Sequence, residues 1–458
     1  MFWWLVTFFQ NGYLGWPQLK SFISLYELLT EEKVGEISME TQASGTTFRS
    51  YLIFWAGQLT SLLGSSIVQF AIIWWITVTY QNALYVSLSI FLGFAPVVVL
   101  SPFAGVLADR WNRKVLIGMA DFLQAMSTVV LIFLFWQNAV PLLAAFALLT
   151  LRGVFQAFHA PAVSAIIPLM IPKEKLSRMN GLNYLGSGAI NMVGPVIGAI
   201  LYALWQMHEI LWIDVATFLI AVVPLLVIKI PTLKIQHEKS SFFNEFKKGF
   251  SFIASTKGML PLLFLATCLN FLLTPLSTQS SYFVAVDHQA EDNPSVYALV
   301  GAALQLGMIA GGIVMTVTKG FRRKMVAAAC FIFVIFIAYA LVALTPTGWF
   351  WFMAIGMAIL GVCLPIANVS TQTIFQTVVP PEMQGRVTSV IMALASAATP
   401  AGMILSGIIV GFIRTADLFL GCAVSGMLII AAAWFLTDIR QVEKLESQAS
   451  TDTAKNPG

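Results

Sequence analysis

The stretch GVLADRWNRK, residues 105–114, joins two long apolar runs with cores at 84–108 and 115–136. Each core exceeds the roughly 18–20 residues that cross a bilayer as an α-helix. The same alternation of apolar run and polar connection predicts twelve spans along the chain. The other ten cores are 51–79, 140–168, 180–206, 210–230, 259–285, 296–318, 325–344, 348–375, 387–412 and 416–437. The sequence therefore predicts an all-α membrane protein.

The composition agrees with this interpretation. Of 458 residues, 58% are hydrophobic and 10% are charged, whereas soluble domains carry about 25% charged residues. No nucleophile motif, no His/Asp/Cys cluster and no phosphate-binding loop is visible, so we expect neither an enzyme nor direct coupling to ATP, and no cofactor. The four cysteines lie far apart inside predicted spans, which favours small buried side chains over disulfides or a metal site. They are Cys268, Cys330, Cys363 and Cys422.

The distribution of charge predicts the orientation of the chain. Twenty-three of the 25 Lys and Arg residues fall before span 1, after span 12 or in the five connections on that same side. The opposite connections contain Arg414 and five acidic residues. Because basic connections stay on the cytoplasmic side, we expect a multi-pass protein of the cell membrane with both termini in the cytoplasm.

Residues 1–38 lack the features of a signal peptide, because no basic segment precedes their apolar part and no small-residue cleavage site follows it. That apolar part is also too short to span. Met39 begins a short polar leader of the kind that precedes a first span. We interpret residues 1–48 as an extension and cytoplasmic leader, with 1–38 irrelevant to function, although an interfacial helix is an alternative.

The chain divides into two halves at the longest interior polar segment. Bundles of six spans are predicted at 49–230 and 259–437, separated by a cytoplasmic linker at 231–258, and 438–458 forms a cytoplasmic tail. The pattern Pro-x-Glu-x-x-x-Arg occurs at 172–178 and again at 380–386, and Gly194-Pro195 has a counterpart in Thr399-Pro400. Two matches in register favour homologous, pseudo-symmetric bundles with a substrate site between them.

The linker contains a helical pattern of its own. Phe242, Phe246, Phe250 and Ile253 recur at helical spacing, opposite Lys247 and Lys248. This pattern suits an amphipathic helix on the anionic inner leaflet, and a solvated linker is the alternative.

The residues of the 105–114 stretch suggest a specific role. Gly105 allows two helices to approach closely, and Asp109 can pair with an Arg or with a helix N-terminus. Arg110, Arg113 and Lys114 hold the connection at the inner surface. A basic connection that only sets orientation would account for the cations but not for the Gly and the Asp.

The stretch resembles the signature loop of the major facilitator superfamily, G-x-x-x-D-R-x-G-R-K, with Asn112 in place of the second Gly. In that family the Asp helps to hold the outward-open state through the second half of the molecule. The resemblance implies the same for Asp109, and Arg386 at the start of span 11 is its candidate partner. It also implies two six-helix bundles and alternating access, with protons entering down their gradient.

Span 5 resembles the motif of the drug:proton antiporters of this superfamily, although Ile190 and Ala199 replace two expected glycines. The matching residues are Gly181, Gly194, Pro195 and Gly198. The segments at 51–61, 157–162 and 213–218 resemble the macrolide-efflux branch, with the enterobactin exporters as the next closest group. The resemblance covers 51–437.

Polar residues form stripes of helical spacing in spans 1, 4, 7 and 10, which line the central cavity in the family that the chain resembles. Because polar groups at bilayer depth face protein or water, we expect these residues to line a cavity. The candidates are Gln58, Ser65, Gln69, Gln156, His159, Asn270, Asn368 and Gln372. Spans 3, 9 and 12 are poorer in such stripes, and a hydroxyl bonded to its own helix is the alternative for any one residue.

Three charged residues inside spans are candidates for proton coupling. Arg152 lies near the middle of span 4 and needs a carboxylate, carbonyls or water. Asp121 in span 3 and Asp214 in span 6 are acidic residues that can exchange protons when desolvated. Both are expected away from the central cavity, and structural ion pairs are the alternative. His159 can titrate at physiological pH or serve in packing.

We expect a proton antiporter that exports amphipathic small molecules, with macrolides as the first candidates, and that acts as a monomer without a nucleic-acid partner. Trp74, Trp75, Phe91 and Phe94 suit an adaptable apolar pocket. An exporter of a siderophore or another endogenous metabolite is the alternative within transporters. Outside that class, a receptor or scaffold that does not transport is possible.

Overall fold

The computed structural model describes residues 45–138, 140–228, 242–318, 321 and 323–440. The extension at 1–38 and nearly all of the predicted tail lie outside this range. Twelve helices within it are long and apolar enough to cross a membrane. We number them in chain order: α1 Gly45–Tyr80, α2 Ala83–Arg110, α3 Arg113–Trp136, α4 Leu142–Met170, α5 Lys173–Leu204, α6 Met207–Val227, α7 Met259–Tyr282, α8 Pro294–Val317, α9 Lys324–Ala343, α10 Phe350–Val378, α11 Pro381–Val410 and α12 Thr415–Leu436.

The twelve predicted spans are confirmed, and most of their ends agree to within a few residues. The exceptions are α1, α5 and α11, which begin six or seven residues earlier than predicted. Pro172 and Pro380 are the N-cap residues of α5 and α11. Proline has no backbone N–H to lose and disfavours helix in the residue before it, so it starts a helix cleanly. The first turns of α5 and α11 are polar, so the hydropathy pattern did not include them in the predicted cores.

The helices form two bundles with equivalent packing. In the first, α1 packs against α5 and α6, α3 packs against α4 and α6, and α2 packs against α4. In the second, each contact recurs between the helices numbered six higher. Contacts of α2 with α11 and of α5 with α8 join the bundles. Together with the solved structures described below, this supports the prediction of two pseudo-symmetric six-helix bundles.

The repeat extends to close helix contacts. A Cβ atom on Gly153 of α4 would lie 2.3 Å from the carbonyl oxygen of Gly93 in α2. One on Gly361 of α10 would lie 2.2 Å from the carbonyl oxygen of Leu304 in α8. Gly153 and Gly361 therefore occupy equivalent places, and each allows two backbones to approach closely.

The bundles meet where α1 joins α2, at an end that we call the Gln81 face. The amide of Gln279 in α7 donates to Ser87 Oγ of α2 at 2.6 Å, and Ser87 Oγ lies 3.4 Å from Ser406 Oγ of α11. The rings of Trp74 in α1 and Tyr297 in α8 stack, with centroids 5.6 Å apart. Polar and aromatic side chains therefore interlock across this face. The opposite end, where α2 joins α3, is called the Trp111 face.

A further helix, Phe242–Ser255, lies in the predicted linker and is called the linker helix. Ile253 is buried with Val387 and Val390 of α11, and Lys247 is exposed. A Cβ on Gly249 would lie 2.6 Å from the carbonyl oxygen of Arg386. The predicted helical pattern is present, but part of its apolar face packs against α11 instead of lying wholly on lipid. The side chain of Phe242 lies outside the described part.

Neighbouring glycines of α8 provide a test of this packing. A Cβ on Gly311 would lie 2.2 Å from the carbonyl oxygen of Val362, whereas one on Gly312 would meet nothing within 4 Å. We expect Gly311→Ala to destabilise the second bundle by about 1–3 kcal/mol, because a backbone atom must shift. Gly312→Ala is the matched control and should be neutral. Thermal unfolding of the detergent-solubilised protein measures both, and equal melting temperatures would contradict the close approach.

Candidate functional site

A cavity of about 460 Å³ lies inside the first bundle, where α1 to α6 surround it and Met403 of α11 closes one side. All eight cavity-lining and proton-coupling candidates from the first half of the chain line it: Gln58, Ser65, Gln69, Asp121, Arg152, Gln156, His159 and Asp214. Apolar residues, including Ile72, Phe94 and Phe218, complete the wall. The cavity therefore combines apolar surface with a concentrated set of polar and charged groups.

The first polar cluster is centred on Asp214 of α6. Arg152 Nη1 lies 2.6 Å from Asp214 Oδ2 and also donates to Thr128 Oγ1. Thr128 Oγ1 donates to Asp214 Oδ2 at 2.6 Å, and Ser65 Oγ donates to Oδ1 at 2.8 Å. Both charged side chains are largely buried, at 12% and 6% exposure. Asp214 therefore supplies the carboxylate that the position of Arg152 requires.

The second polar cluster is centred on Asp121 of α3. His159 Nε2 lies 3.1 Å from Asp121 Oδ1 and 3.0 Å from Gln58 Oε1. The amide of Gln58 donates to Asp121 Oδ2 at 3.4 Å. Asp121 is 9% exposed and His159 is 15% exposed. A carboxyl group, an imidazole and a neutral amide thus form a small hydrogen-bonded group.

These positions differ from the expectation that Asp121 and Asp214 lie away from the cavity. The reason is that the described cavity is inside one bundle, so helices α3 and α6 contribute to its wall as well as α1 and α4. Sequence analysis also missed Gln124 and Thr128. With Asp121 they form a stripe at spacings of three and four along α3, and this signal could have identified them.

The candidates from the second half of the chain are not among the residues that line this cavity. Asn270, Asn368 and Gln372 are all exposed. The amide of Asn270 donates to the carbonyl of Ala266 on its own helix at 2.9 Å. The polar residues that line the described cavity therefore come from the first bundle. From the second bundle, Met403 of α11 contributes to the wall.

The connection between α2 and α3 is partly described. Asn112 is the N-cap of α3, where its side chain accepts a hydrogen bond from the backbone N–H of Lys114 at 3.0 Å. Lys114 Nζ donates to the carbonyls of Leu226 and Ile228 at the end of α6, at 2.7 and 3.0 Å. Cations favour such helix C-termini. Asn112 thus has a capping role where the superfamily signature has Gly.

The remaining residues of the signature, and Arg386 as the candidate partner of Asp109, are described to different extents. Arg113 is buried, and Arg386 is half-buried beside Met383. The side chains of Asp109 and Arg110, and the environment of Gly105, lie outside the described part. The pairing of Asp109 with Arg386 therefore stays a prediction.

The antiporter-like motif of α5 packs against α1. A Cβ on Gly194 would lie 2.3 Å from Ser66 Oγ, and one on Gly198 would lie 3.0 Å from Phe70 Cδ1. Pro195 is inside the helix, whereas a Cβ on Gly181 would meet nothing within 4 Å. Gly194 and Gly198 therefore bring α5 close to the cavity helix α1, and no such contact explains Gly181.

The chemistry available in the cavity is the movement of protons and the recognition of polar groups. Two carboxyl groups, one guanidinium and one imidazole meet there, beside several amides and hydroxyls. Among the described residues, no group of three or more His, Cys, Asp or Glu side chains could hold a metal ion.

The Arg152–Asp214 contact gives a testable prediction. Arg152→Met should lower the stability of the folded protein by about 3–5 kcal/mol, because it leaves a buried carboxylate unpaired. The double variant Arg152→Met/Asp214→Asn should recover most of the lost stability, because no unpaired carboxylate remains. Arg152→Lys should lose less stability than Arg152→Met because it keeps the positive charge, but it should not match the unaltered chain because it lacks the planar fork. Membrane abundance and melting temperature measure this. Equal losses in the single and double variants would contradict the pairing.

Comparison with known proteins places this chain in a family. Residues 43–457 match the family described as "Transmembrane secretion effector". Macrolide efflux protein A of Streptococcus pyogenes is 29% identical over 398 residues, which cover 86% of this chain and 97% of that protein. The multidrug efflux pump Tap of Mycolicibacterium fortuitum is 24% identical over 403 residues, which cover 84% of this chain and 95% of the pump.

Solved structures agree on the fold. A bacterial homologue of the iron transporter ferroportin, in an inward-facing state, superimposes with a TM-score of 0.62 at 15% identity, covering 87% of this chain and 99% of that one. The matched fold, the twelve spanning helices and the family match over nearly the whole chain lead to one conclusion. This chain is a membrane transporter of the major facilitator superfamily and belongs to its transmembrane secretion effector family.

Proposed function

We propose that this chain exports amphipathic small molecules, with macrolide antibiotics as the first candidates, by proton antiport. The observation that carries the proposal is the cavity, in which four ionisable side chains meet inside the spanning helices. Charged groups at bilayer depth are costly and mark substrate or proton pathways. An antiporter must bind protons and substrate, and the cavity offers ionisable side chains for protons and a partly apolar wall for an amphipathic substrate.

The substrate class is supported by the wall of the cavity and by the relatives. Ile72, Phe94 and Phe218 form an apolar surface beside Gln69 and Gln156. Binding sites for small amphipathic molecules combine apolar lining with a few polar groups that fix orientation. The similarity to a protein named for macrolide efflux extends over 86% of this chain, and this favours macrolides over an endogenous metabolite.

Alternating access is supported by the contacts between the bundles. At the Gln81 face, Gln279, Ser87 and Ser406 interlock across α7, α2 and α11. We propose that this face is extracellular, because the basic residues concentrate at the other face, and that the structure is a state closed to the outside. Transport then requires the interlock to open.

A susceptibility panel tests the function. Expression in an efflux-deficient bacterial host should raise the minimal inhibitory concentration of macrolides several-fold, and a protonophore should abolish the protection because it removes the driving force. The empty vector is the control. Protection that survives the protonophore would contradict proton antiport. Absence of protection against every compound would contradict drug export.

Cross-linking tests the need for opening at the Gln81 face. Ser87 Oγ and Ser406 Oγ are 3.4 Å apart, so cysteines at both positions lie within reach of a disulfide. In a chain whose four native cysteines are replaced, oxidation of Ser87→Cys/Ser406→Cys should stop transport, and reduction should restore it. Each single cysteine variant is the matched control. Undiminished transport by the cross-linked protein would contradict the proposed opening.

A further inference from the structure

The two clusters of the cavity differ in their ability to exchange a proton. We propose that Asp121 and His159 together form the proton-binding site of this transporter, and that Arg152 and Asp214 remain an ion pair throughout. The inference rests on the proposed proton antiport and assigns its coupling site. It assigns different roles to Asp121 and Asp214, which were both candidates for proton coupling in the sequence.

The surroundings of Asp214 oppose protonation. Its Oδ2 atom accepts hydrogen bonds from Arg152 and Thr128, and its Oδ1 atom accepts one from Ser65. All three donors favour the ionised carboxylate. A proton on Asp214 would also leave the guanidinium of Arg152, which keeps its charge, as an unpaired charge in a largely buried site. The cluster is therefore stable in only one charge state.

The surroundings of Asp121 allow two charge states. Its partners are a titratable imidazole, His159, at 3.1 Å and the neutral amide of Gln58 at 3.4 Å. No permanent cation touches it among the described residues. When a proton binds to the pair, the product is either an imidazolium beside a carboxylate or an imidazole beside a carboxylic acid. Each product keeps a hydrogen bond between the two side chains.

The charge balance of the cavity leads to the same assignment. The ionisable groups that face Asp121 are Arg152 and His159 of α4 and Asp214 of α6, while the lining residues of α1, α2 and α5 are uncharged. Arg152 compensates Asp214. With His159 neutral, Asp121 leaves the cavity with one net negative charge, and a single proton on the Asp121–His159 pair neutralises it.

The position of the pair also suits release. Gln58 precedes Ser65 by seven residues on α1, which is roughly 10 Å along a helix. The Asp121 cluster is therefore closer to the Trp111 face than the Asp214 cluster. Since the bundles interlock at the Gln81 face, the proton site lies toward the end that is remote from this interlock.

Infrared spectroscopy of the full chain in lipid tests the site without any substrate. Difference spectra between pH values report carboxylic acid and imidazolium bands. Because the proposed site shares one proton between the two side chains, Asp121→Asn and His159→Gln should each remove a transition or move its midpoint by at least about one pH unit. Ser65→Ala, which loosens Asp214 only, is the matched control and should leave that transition in place. Unchanged spectra in both Asp121→Asn and His159→Gln would overturn the inference, as would loss of the transition in Ser65→Ala alone.

Transport in proteoliposomes gives a second readout with a radiolabelled macrolide as the probe. Asp121→Asn should reduce uptake driven by a pH gradient at least about tenfold, while exchange of labelled for unlabelled macrolide stays within about twofold. Gradient-driven uptake at the original rate in Asp121→Asn would overturn the assignment. If the unaltered chain shows no gradient-driven uptake, the proposed function fails, and the infrared result still decides the proton site. Should Asp121→Asn not reach the membrane, His159→Gln decides in the same two assays.

Discussion

The cost of a permanent charge inside the bilayer is the constraint on which this site depends. Arg152 keeps its guanidinium charge at mid-span, so the fold must supply an anion and further hydrogen-bond acceptors. Asp214 supplies the anion from α6, and Thr128 of α3 supplies a hydroxyl oxygen. Ser65 of α1 completes the coordination of the carboxylate. One charged side chain thus ties four helices together around the cavity.

Close helix packing is what brings these groups together. Gly194 and Gly198 let α5 approach α1, and Gly153 lets α4 approach α2. Without a hydrophobic driving force between helices in lipid, such close van der Waals contact carries much of the association. The equivalent approach at Gly361 in the second bundle shows that the packing belongs to the repeated architecture, whereas the buried charges of this cavity belong to the first bundle alone.

The spans could be predicted because bilayer thickness sets the length of an apolar helix, and the spans at 84–108 and 259–285 appear as helices with nearly those bounds. The polar stripe of α1 was visible in the sequence, and its residues Gln58, Ser65 and Gln69 line the cavity inside the first bundle. The stripe of α3 was missed because analogy with the family assigned that helix to the periphery. Its spacing was visible in the sequence, but the presence of a cavity inside one bundle was not.

The sequence by itself determined the number of spans, the division into halves and the presence of ionisable residues at bilayer depth, because these follow from local hydropathy and the penalty on buried charge. The tertiary structure alone decided which of these residues are partners. Arg152 and Asp214 are 62 residues apart, and His159 and Gln58 are 101 apart. Their contacts depend on the packing of α1, α3, α4 and α6. Hydrogen bonds act over about 3 Å, so the choice of partner for each buried polar side chain is made only once the helices are packed.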